Sequence, residues 1–516
     1  MKRSKNNFPL LIIIFLGLFF RIYFLGYKSL WYDEAIAVTS IECSSCSLFT
    51  PEYYKPVFSL MLRVWSLFFG KNEFTIRFFS TIFGVAAIYL VFLIAKEMFD
   101  KGVALLSATI FSFSFAHIYI SRQVGHYALF IFLILFSALI FMKIIKGTQQ
   151  KYLILLAIIN ILSLFTHISA IFMIMAQNIF FIIYIVGQKS AKKVLKNWLL
   201  SQALIFITII LLFIKSTPAV IETVEMPEYR IYAKHTFPAV IKTFEAFSYG
   251  ARQAGHLWVG YSFSRHTTFP YSLLLFIYTF FSILGFIYGL LTNESEKSLF
   301  ISYLLLWLVL PIGFTYCFSK IFFPIYEIKH QVISSVPFYI AVAYGVTKVK
   351  KYFLRLCIVI LIMALSIGAL GNLYSMEKME SWREIVSFIQ SKIGRGDLLF
   401  FEPINQIVPF WYYYKYGQKN TGISRGGKII NNELENYFIE DGIRFSGTKL
   451  GEIDELSKNK SYYDKVIHNH GKIFLILSPY WPTGNTKEEV LRYFESRKLM
   501  EKKQYLYDGI EVCIFK

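Results

Sequence analysis

The chain has 516 residues, with 53 Lys and Arg against 33 Asp and Glu, so its formal net charge is +20. Hydrophobic residues make up 56%, charged residues only 17%, and the mean hydropathy is +0.51, whereas a soluble chain averages about 25% charged. Residues 1–371 hold 32 basic and 14 acidic residues, but residues 372–516 hold 21 and 19. The basic excess accompanies apolar segments, which excludes a soluble enzyme, a disordered chain and a nucleic-acid binder.

Apolar runs recur through the first 371 residues and predict an α-helical polytopic membrane protein with about eleven transmembrane helices. The predicted spans cover residues 8–26, 74–95, 103–120, 127–145, 152–167, 168–186, 198–215, 270–291, 299–318, 331–347 and 353–371.

Lysine recurs in alternate connections between these spans, which is the positive-inside pattern. It predicts a multi-pass protein of the cytoplasmic (inner) membrane, with a cytoplasmic N-terminus and an extracytoplasmic C-terminal segment. The lysine-bearing connections hold Lys96, Lys101, Lys143, Lys146, Lys151, Lys189, Lys192, Lys193, Lys196, Lys297, Lys348, Lys350 and Lys351.

Two outward segments are long, residues 27–73 and 216–269. The first contains Val57–Phe69, which is apolar but too short to span and is typical of an interfacial helix. We therefore expect a membrane domain over residues 1–371 that carries both outward loops.

After residue 371 the pattern changes to short strands that alternate with helices, which predicts a small extracytoplasmic α/β domain over residues 372–516. The expected helices are Ser381–Lys392 and Thr486–Arg497. The expected strands are Asp397–Glu402 and Lys472–Ser478, with a hairpin over Tyr505–Phe515 that turns at Asp508 and Gly509.

An acidic pair, Asp33 and Glu34, follows Trp31 just outside the first span. Adjacent carboxylates at a membrane surface are partly desolvated, and each raises the pKa of the other. Such a group can deprotonate an acceptor hydroxyl or hold a divalent cation beside a phosphate. The alternative is a solvated interfacial pair within an aromatic belt.

Cationic side chains cluster at the same outward ends: Arg21, Arg77, Arg122, Lys329 and His330. Ionisable groups at membrane depth are costly and usually line a polar pathway. Guanidinium groups bind phosphate in a bidentate manner, so the set suits an anionic lipid headgroup. The competing explanation is snorkelling toward ordinary phospholipids.

Polar side chains also gather near the end of the third span and in the turn after the fifth. The side chains are His117, Gln123, His126, Tyr127 and His167. All of them except His126 are candidates for acceptor contacts or a supporting shell. A histidine here is a metal ligand, an acceptor contact or, most commonly, an interfacial histidine with satisfied hydrogen bonds. Cys43 and Cys46 form either an outward disulfide or two free thiols.

Four stretches resemble the prokaryotic GT-C membrane glycosyltransferases related to protein O-mannosyltransferases and aminoarabinose transferases, the glycosyltransferase family 39-like superfamily. The first is Leu30-Trp-Tyr-Asp-Glu-Ala35, and the second runs from Lys55-Pro56 to Leu105. The third is Ala116–Ala128, and the fourth runs from Leu164 to Gln177. Weaker similarity continues through Lys329-His330 and Trp382–Asp397.

This resemblance implies transfer of a hexosyl or pentosyl group from a polyprenyl-phosphate-linked donor to a lipid, glycan or protein acceptor at the outer face. It implies that Asp33 is the base, that Glu34 assists it or positions a metal, and that Arg77, Lys329 and His330 hold the phosphate. No cofactor is certain, and the resemblance leaves a divalent cation open.

The chain departs from the family where relatives often have an acidic residue and an arginine, because it has Gln123 and Gly125. An amide cannot act as a base or bring charge to a cation, which weakens a metal proposal. Arg122 is a candidate replacement for the missing arginine at the phosphate.

Three other functions remain open. An en bloc oligosaccharyltransferase typically has a WWDYG motif, whereas this chain has Trp411-Tyr-Tyr-Tyr-Lys-Tyr-Gly417 without an acid. A flippase or transporter of lipid-linked glycans tends to show repeats and broken midplane helices. The loss of an acid at Gln123 permits a non-catalytic scaffold descended from an enzyme.

Overall fold

The computed structural model describes most of the membrane part and the core of the C-terminal part. The described residues are 8–41, 55–147, 151–186, 191–225, 237–250, 269–322, 325–375, 381–394, 397–402, 406–416, 438–440, 443–447, 464, 472–477, 486–497, 503–507 and 510–515. The chain forms two compact units, one of Met1–Leu25 with Ser44–Met376 and one of Gly26–Cys43 with Glu377–Lys516.

The first unit is helical. Its helices are α1 (Phe8–Ile22), α3 (Pro56–Phe69), α4 (Glu73–Met98), α5 (Lys101–Phe113), α6 (Phe115–Ser121), α7 (His126–Ile145), α8 (Lys151–Thr166), α9 (Ala170–Val186), α10 (Ala191–Glu225), α11 (Phe237–Ser248), α12 (Phe269–Leu290), α13 (Ser295–Ile321), a 3-10 helix (Ile328–Ser334), α14 (Ser335–Thr347) and α15 (Tyr352–Ser375). Helix α2 (Tyr32–Ser40) is part of the second unit.

Each predicted span overlaps a helix of this unit, which confirms the α-helical polytopic class. Within the described residues, six helices are long and apolar enough to cross a membrane, or seven if α5 and α6 form one bent span. Helices α1, α8 and α9 are apolar but shorter. The number of helices that cross the membrane therefore stays a prediction.

Polar side chains define where several helices begin. The Asn72 side chain accepts from the Thr75 backbone N–H at 3.0 Å at the start of α4. The Asp100 carboxylate accepts from the N–H groups of Gly102 and Val103 at the start of α5. Such caps satisfy backbone donors that the first helical turn leaves unpaired.

The third predicted span is not one straight helix, because α5 and α6 meet at Ser114 with a bend of 59°. Ser114 has extended backbone angles, and its hydroxyl accepts from the His117 N–H at 3.5 Å to start α6. On the other side of the break, the Ser112 carbonyl accepts from Nη1 of the buried Arg21 at 3.2 Å. The backbone groups freed by the bend are thus partnered within the bundle.

Three of the alternate, lysine-bearing connections meet at one end of the bundle. Lys146, after α7, lies 3.4 Å from the Glu97 carboxylate at the end of α4 and 3.5 Å from that of Glu296 at the start of α13. This grouping agrees with the alternation of connections predicted from the lysines. The direction in which this end faces stays a prediction.

The interfacial helix predicted at Val57–Phe69 is present as α3. One side buries Phe58, Leu62 and Ser66, whereas Leu67 and Phe68 are 76% and 78% exposed. A short helix with one packed side and one exposed apolar side suits the surface of a bilayer. In the second outward loop, α10 continues to Glu225 and α11 follows, while residues 226–236 and 251–268 lie outside the described part.

The second unit contains a six-stranded sheet in the order β2-β3-β1-β4-β6-β5. Its strands are β1 (Leu398–Glu402), β2 (Phe438–Glu440), β3 (Ile443–Gly447), β4 (Ile473–Leu477), β5 (Lys503–Tyr507) and β6 (Ile510–Phe515), and its helices after residue 376 are α16 (Trp382–Gln390), α17 (Ile407–Tyr416) and α18 (Thr486–Arg497). Strand β1 pairs in parallel with β3 and β4, and the other pairs are antiparallel. The predicted small α/β domain is confirmed.

The acidic segment groups with this second unit. The predicted domain division at residue 371 stays a prediction. The Leu30 N–H donates to the Tyr413 hydroxyl at 2.6 Å, and the Ser29 hydroxyl accepts from the Arg383 N–H at 3.3 Å. Leu30 has no exposed surface. Hydrophobic burial and backbone hydrogen bonds join Gly26–Cys43 to the C-terminal residues.

Candidate functional site

Three histidine rings stack at one end of the first unit. The His126 and His167 rings lie 5.1 Å apart between centroids and are nearly parallel, at 6°. The His330 ring centroid lies 5.0 Å from that of His167, and the two ring planes are tilted by 54°. The three residues come from the start of α7, the turn between α8 and α9, and the 3-10 helix before α14, so only the tertiary fold brings them together. We call this set the histidine stack.

Aromatic packing and one hydrogen bond fix the central ring. The His167 ring lies 5.3 Å from the Tyr127 ring and 5.0 Å from the Phe130 ring. Its Nδ1 accepts from the Ser169 N–H at 3.1 Å, so in the neutral ring the hydrogen resides on Nε2. His167 therefore presents a donor to its surroundings.

Charged side chains surround the stack. The Lys329 ammonium lies 2.9 Å from the Glu327 carboxylate, and His330 Nε2 lies 3.8 Å from the same carboxylate. Lys55, which precedes α3, is close enough for its charge to lower the pKa of both His167 and His330. Two lysines and one glutamate thus leave a net positive field around neutral imidazoles.

Burial is the main cause of the histidine pKa shifts. It lowers the pKa of His167 well below the usual histidine range, with the charges of His330, Lys55 and Lys329 adding to the effect. Partial burial lowers the pKa of His330, although the Glu327 carboxylate acts in the opposite direction and 27% of the side chain stays exposed. Both imidazoles are therefore neutral near pH 7 in the absence of an anion.

One nitrogen of the stack is left without a partner. His126 is 6% exposed, and its buried Nε2 has no hydrogen bond from any described residue. A buried polar atom without a partner costs about 1–3 kcal/mol. Such an atom at the edge of a cationic cluster indicates a place where a polar ligand or water binds.

The two arginines predicted for the phosphate both donate to backbone near the end of α1. Arg77 Nη1 donates to the Leu25 carbonyl at 3.0 Å, and Arg77 is 6% exposed. Arg122 Nη1 donates to the carbonyls of Phe20, Arg21 and Tyr23. A guanidinium on several carbonyls at a helix C-terminus is a cap that complements the helix dipole.

Two other candidates lie deeper in the bundle or in its turns. His117 is 1% exposed, and its Nε2 lies 2.7 Å from the Ser335 hydroxyl oxygen, so it joins α6 to α14. Gln123 is half-buried in the turn between α6 and α7. Their predicted role at an acceptor is untested.

In the second unit, the two acidic residues occupy different environments. Asp33 is exposed in the first turn of α2, whereas Glu34 is only 1% exposed. The Glu34 carboxylate accepts from the Trp31 N–H at 3.4 Å, across the start of the helix. Glu34 therefore stabilises the helix N-terminus, while Asp33 is an exposed residue of the same first turn.

The divalent cation that the sequence leaves open stays a prediction. Among the described residues, no group of three or more His, Cys, Asp or Glu side chains is arranged to hold a metal ion. Cys43 and Cys46 lie outside the described residues.

Lys55 and Glu327 were not among the predicted site residues. His126 was noted as part of the same polar group, but no site role was predicted for it. Their sequence signals are weak but identifiable. Lys55 immediately precedes Pro56, the first residue of an interfacial helix at the outward end, and Glu327 lies two residues before a lysine already singled out. His126 directly precedes an apolar run, where a ring often packs without any other role.

The chain is similar in sequence to one protein family and to one curated protein. Residues 51–214 match the family described as dolichyl-phosphate-mannose-protein mannosyltransferase. An uncharacterized protein of Aquifex aeolicus is 28% identical over 203 residues, which is 37% of this chain, and the match spans only 40% of that relative.

The Archaeoglobus fulgidus oligosaccharyltransferase tethered to an acceptor peptide aligns over 99% of this chain and 74% of its own, with a TM-score of 0.55 and 13% identity. Its AglB complex with an inhibitory peptide and a dolichol-phosphate aligns over 91% and 69%, with a TM-score of 0.53 and 13% identity. These similarities concern the fold. Together with the membrane-length helices, they show that the chain is a multi-pass membrane protein with the GT-C fold.

Proposed function

We propose that this protein transfers a sugar from a polyprenyl-phosphate-linked donor to an acceptor hydroxyl at the outer face of the cytoplasmic membrane. The observation that carries the proposal is the cluster of Lys55, Lys329 and the histidine stack at one end of an apolar helical bundle. A cationic cluster at the end of an apolar helical bundle suits a lipid phosphate, because lipid headgroups lie at the ends of membrane-spanning helices.

The comparisons support the class of donor. The matched family is described by dolichyl-phosphate-mannose, and the Archaeoglobus AglB structure holds a dolichol-phosphate. For this chain, we assign the phosphate to the ammonium groups of Lys55 and Lys329 and to the ring of His330. In this proposal Arg77 and Arg122 shape the end of α1 through their backbone contacts.

The chemistry is one displacement with inversion. Asp33 takes the proton of the acceptor hydroxyl, and the acceptor oxygen forms a bond to the anomeric carbon. The bond from that carbon to the phosphate oxygen breaks, and its electron pair stays on the departing phosphate. Positive groups placed at that phosphate stabilise the charge that develops in the transition state.

The environments of the acidic pair divide their roles. Asp33 is exposed and therefore accessible to an acceptor, whereas Glu34 is buried against the start of α2. In this proposal Glu34 holds the first turn of the helix and so orients its neighbour. The acceptor is a lipid, a glycan or a protein, and its hydroxyl is the only group that the chemistry requires.

The decisive test replaces the base. Purified Asp33→Asn protein is incubated with a radiolabelled polyprenyl-phosphate sugar and membranes as a source of acceptor. We expect transfer to fall by about 10²–10⁴-fold, which is the usual contribution of general base catalysis. Glu97→Gln, at the opposite end of the bundle, is the matched control and is expected to retain transfer. Unchanged activity in Asp33→Asn would remove Asp33 from this role.

The same assay in proteoliposomes separates the other functions. A transporter moves labelled lipid across the bilayer without attaching the sugar to an acceptor, and a scaffold does neither. Label in a covalent product that depends on Asp33 supports the glycosyltransferase.

A further inference from the structure

The proposed reaction changes the charge of the phosphate that it handles. The donor is a phosphodiester with one negative charge. The departing polyprenyl phosphate is a monoester, whose second pKa near 6 gives it a charge close to −2 above pH 7. The binding site must therefore accommodate one more negative charge after transfer than before it.

The fixed charges around the stack do not change during this step. Lys55 and Lys329 are cations throughout, and Glu327 offsets one of them through its 2.9 Å contact with Lys329. The imidazoles are the groups whose charge can change. They are neutral without an anion, and three of them lie within 5.1 Å of a neighbour between ring centroids.

We propose that the His126–His167–His330 stack takes up one proton as the product phosphate forms, so that binding of a phosphomonoester is coupled to protonation whereas binding of a phosphodiester is not. This inference rests on the proposed function. The proton of the acceptor hydroxyl goes to Asp33, and the proton of the stack comes from solvent water.

The charged groups next to the histidine stack explain why a bound anion changes the protonation of its imidazoles. Burial and the charges of Lys55 and Lys329 favour neutral rings, Glu327 favours a charged one, and Tyr127 contributes a neutral ring. A phosphate dianion placed beside the rings adds two opposite charges, which favours an imidazolium.

The geometry limits the uptake to about one proton, because two adjacent imidazolium rings would repel each other. Nε2 of His126 has no hydrogen-bond partner among the described residues and offers one more hydrogen-bonding position for the phosphate. The His330 side chain is 27% exposed, which gives the stack a route to solvent protons.

The test is calorimetric titration of the purified full-length protein in detergent at about pH 8, in buffers that differ in ionisation enthalpy. The probes are farnesyl phosphate, which is a dianion at this pH, and its methyl ester, a monoanion. The slope of the binding enthalpy against buffer enthalpy counts the protons taken up. We expect about one proton for the monoester and about zero for the diester.

Two variants of His330 test whether this residue is needed for the proton uptake. His330→Asn is expected to abolish the uptake and weaken monoester binding about tenfold. His330→Arg, whose charge is permanent, is expected to bind the monoester within a few-fold of the wild type without taking up a proton. Lys320→Gln, an exposed lysine at the end of α13, is the control and is expected to change neither quantity.

The outcomes separate this inference from the proposed function. The inference alone is overturned if both probes bind without proton uptake. It is also overturned if proton uptake persists in both His330→Asn and His167→Gln. Failure of both probes to bind overturns the phosphate site and the inference together.

Discussion

Residues of the same type have different roles in this protein because their surroundings differ. Asp33 and Glu34 are adjacent carboxylates, yet one is exposed and the other is buried against a backbone N–H. His117 is hydrogen-bonded in the interior, whereas His126 keeps a buried nitrogen without a described partner. Burial and hydrogen bonds, more than residue type, separate structural groups from candidate reactive ones.

Arg122 tests this distinction at the scale of one residue. Its Nη1 donates to carbonyls at the end of α1, and its guanidinium lies 5.0 Å from the centroid of the Tyr374 ring. Hydrogen bonds from a charged group contribute about 1.5–3 kcal/mol each. We therefore expect Arg122→Ala to lower the melting temperature of the purified protein while the KM for the donor stays close to the wild-type value.

Lys329→Gln is the comparison for Arg122→Ala. It removes a cation from the proposed phosphate site, so we expect a raised KM for the donor with little change in melting temperature. A raised donor KM in Arg122→Ala at unchanged stability would instead return Arg122 to the phosphate site.

Close contacts between helices determine how the elements of the bundle pack. An added Cβ at Gly345 of α14 would lie 2.0 Å from the Phe281 carbonyl oxygen of α12, and one at Gly285 of α12 would lie 2.2 Å from the Ala341 carbonyl oxygen of α14. Backbone atoms cannot move aside as a flexible side chain can. The two glycines therefore allow α12 and α14 to approach, as small residues do in membrane helix pairs.

We expect Gly345→Ala to destabilise the protein by about 1–3 kcal/mol, because the new methyl group overpacks a backbone contact. Gly371 near the end of α15 has no atom within 4 Å of an added Cβ. Gly371→Ala is thus the matched control and should be neutral or slightly stabilising. Thermal unfolding in detergent, followed by tryptophan fluorescence, measures both, and equal melting temperatures for the two variants would contradict the close approach.

In the whole molecule, the segment that carries Asp33 is part of the same compact unit as residues that begin more than 300 positions later in the chain. The Tyr413 hydroxyl accepts from the Leu30 N–H at 2.6 Å, three residues before the proposed base. Leu30 is fully buried. The C-terminal domain therefore has a direct part in holding the segment that carries Asp33.

Tyr413→Phe should loosen this segment, because the buried Leu30 N–H loses its partner at a cost of about 1–3 kcal/mol. We expect faster amide hydrogen exchange within residues 26–41 and a lower rate of sugar transfer. Tyr493→Phe removes a hydroxyl that donates to Asp464 at 2.8 Å elsewhere in the same domain. It serves as the control, and unchanged exchange of residues 26–41 in Tyr413→Phe would argue against the joining role.

The class of the protein, the helices that overlap its apolar runs and the strands β1, β4, β5 and β6 follow from the amino-acid sequence alone. Apolar runs and alternating lysines are local patterns, and the bilayer imposes them directly on each segment. Strands β2 and β3 and the helices α2, α11 and α17 were not predicted. Their segments are short, and the aromatic residues Trp411–Tyr414 suit packing in any type of element.

The bend at Ser114, the histidine stack and the membership of Asp33 in the second unit follow from the folded chain and not from local sequence patterns. Each depends on residues far apart in sequence: Ser112 with Arg21, His126 with His330, and Leu30 with Tyr413. Sequence spacing constrains contacts within one helix or strand, whereas contacts between elements follow from how their surfaces pack. For that reason Lys329 and His330 were predictable as candidates, but their partners Lys55, His126 and Glu327 emerged only from the folded bundle.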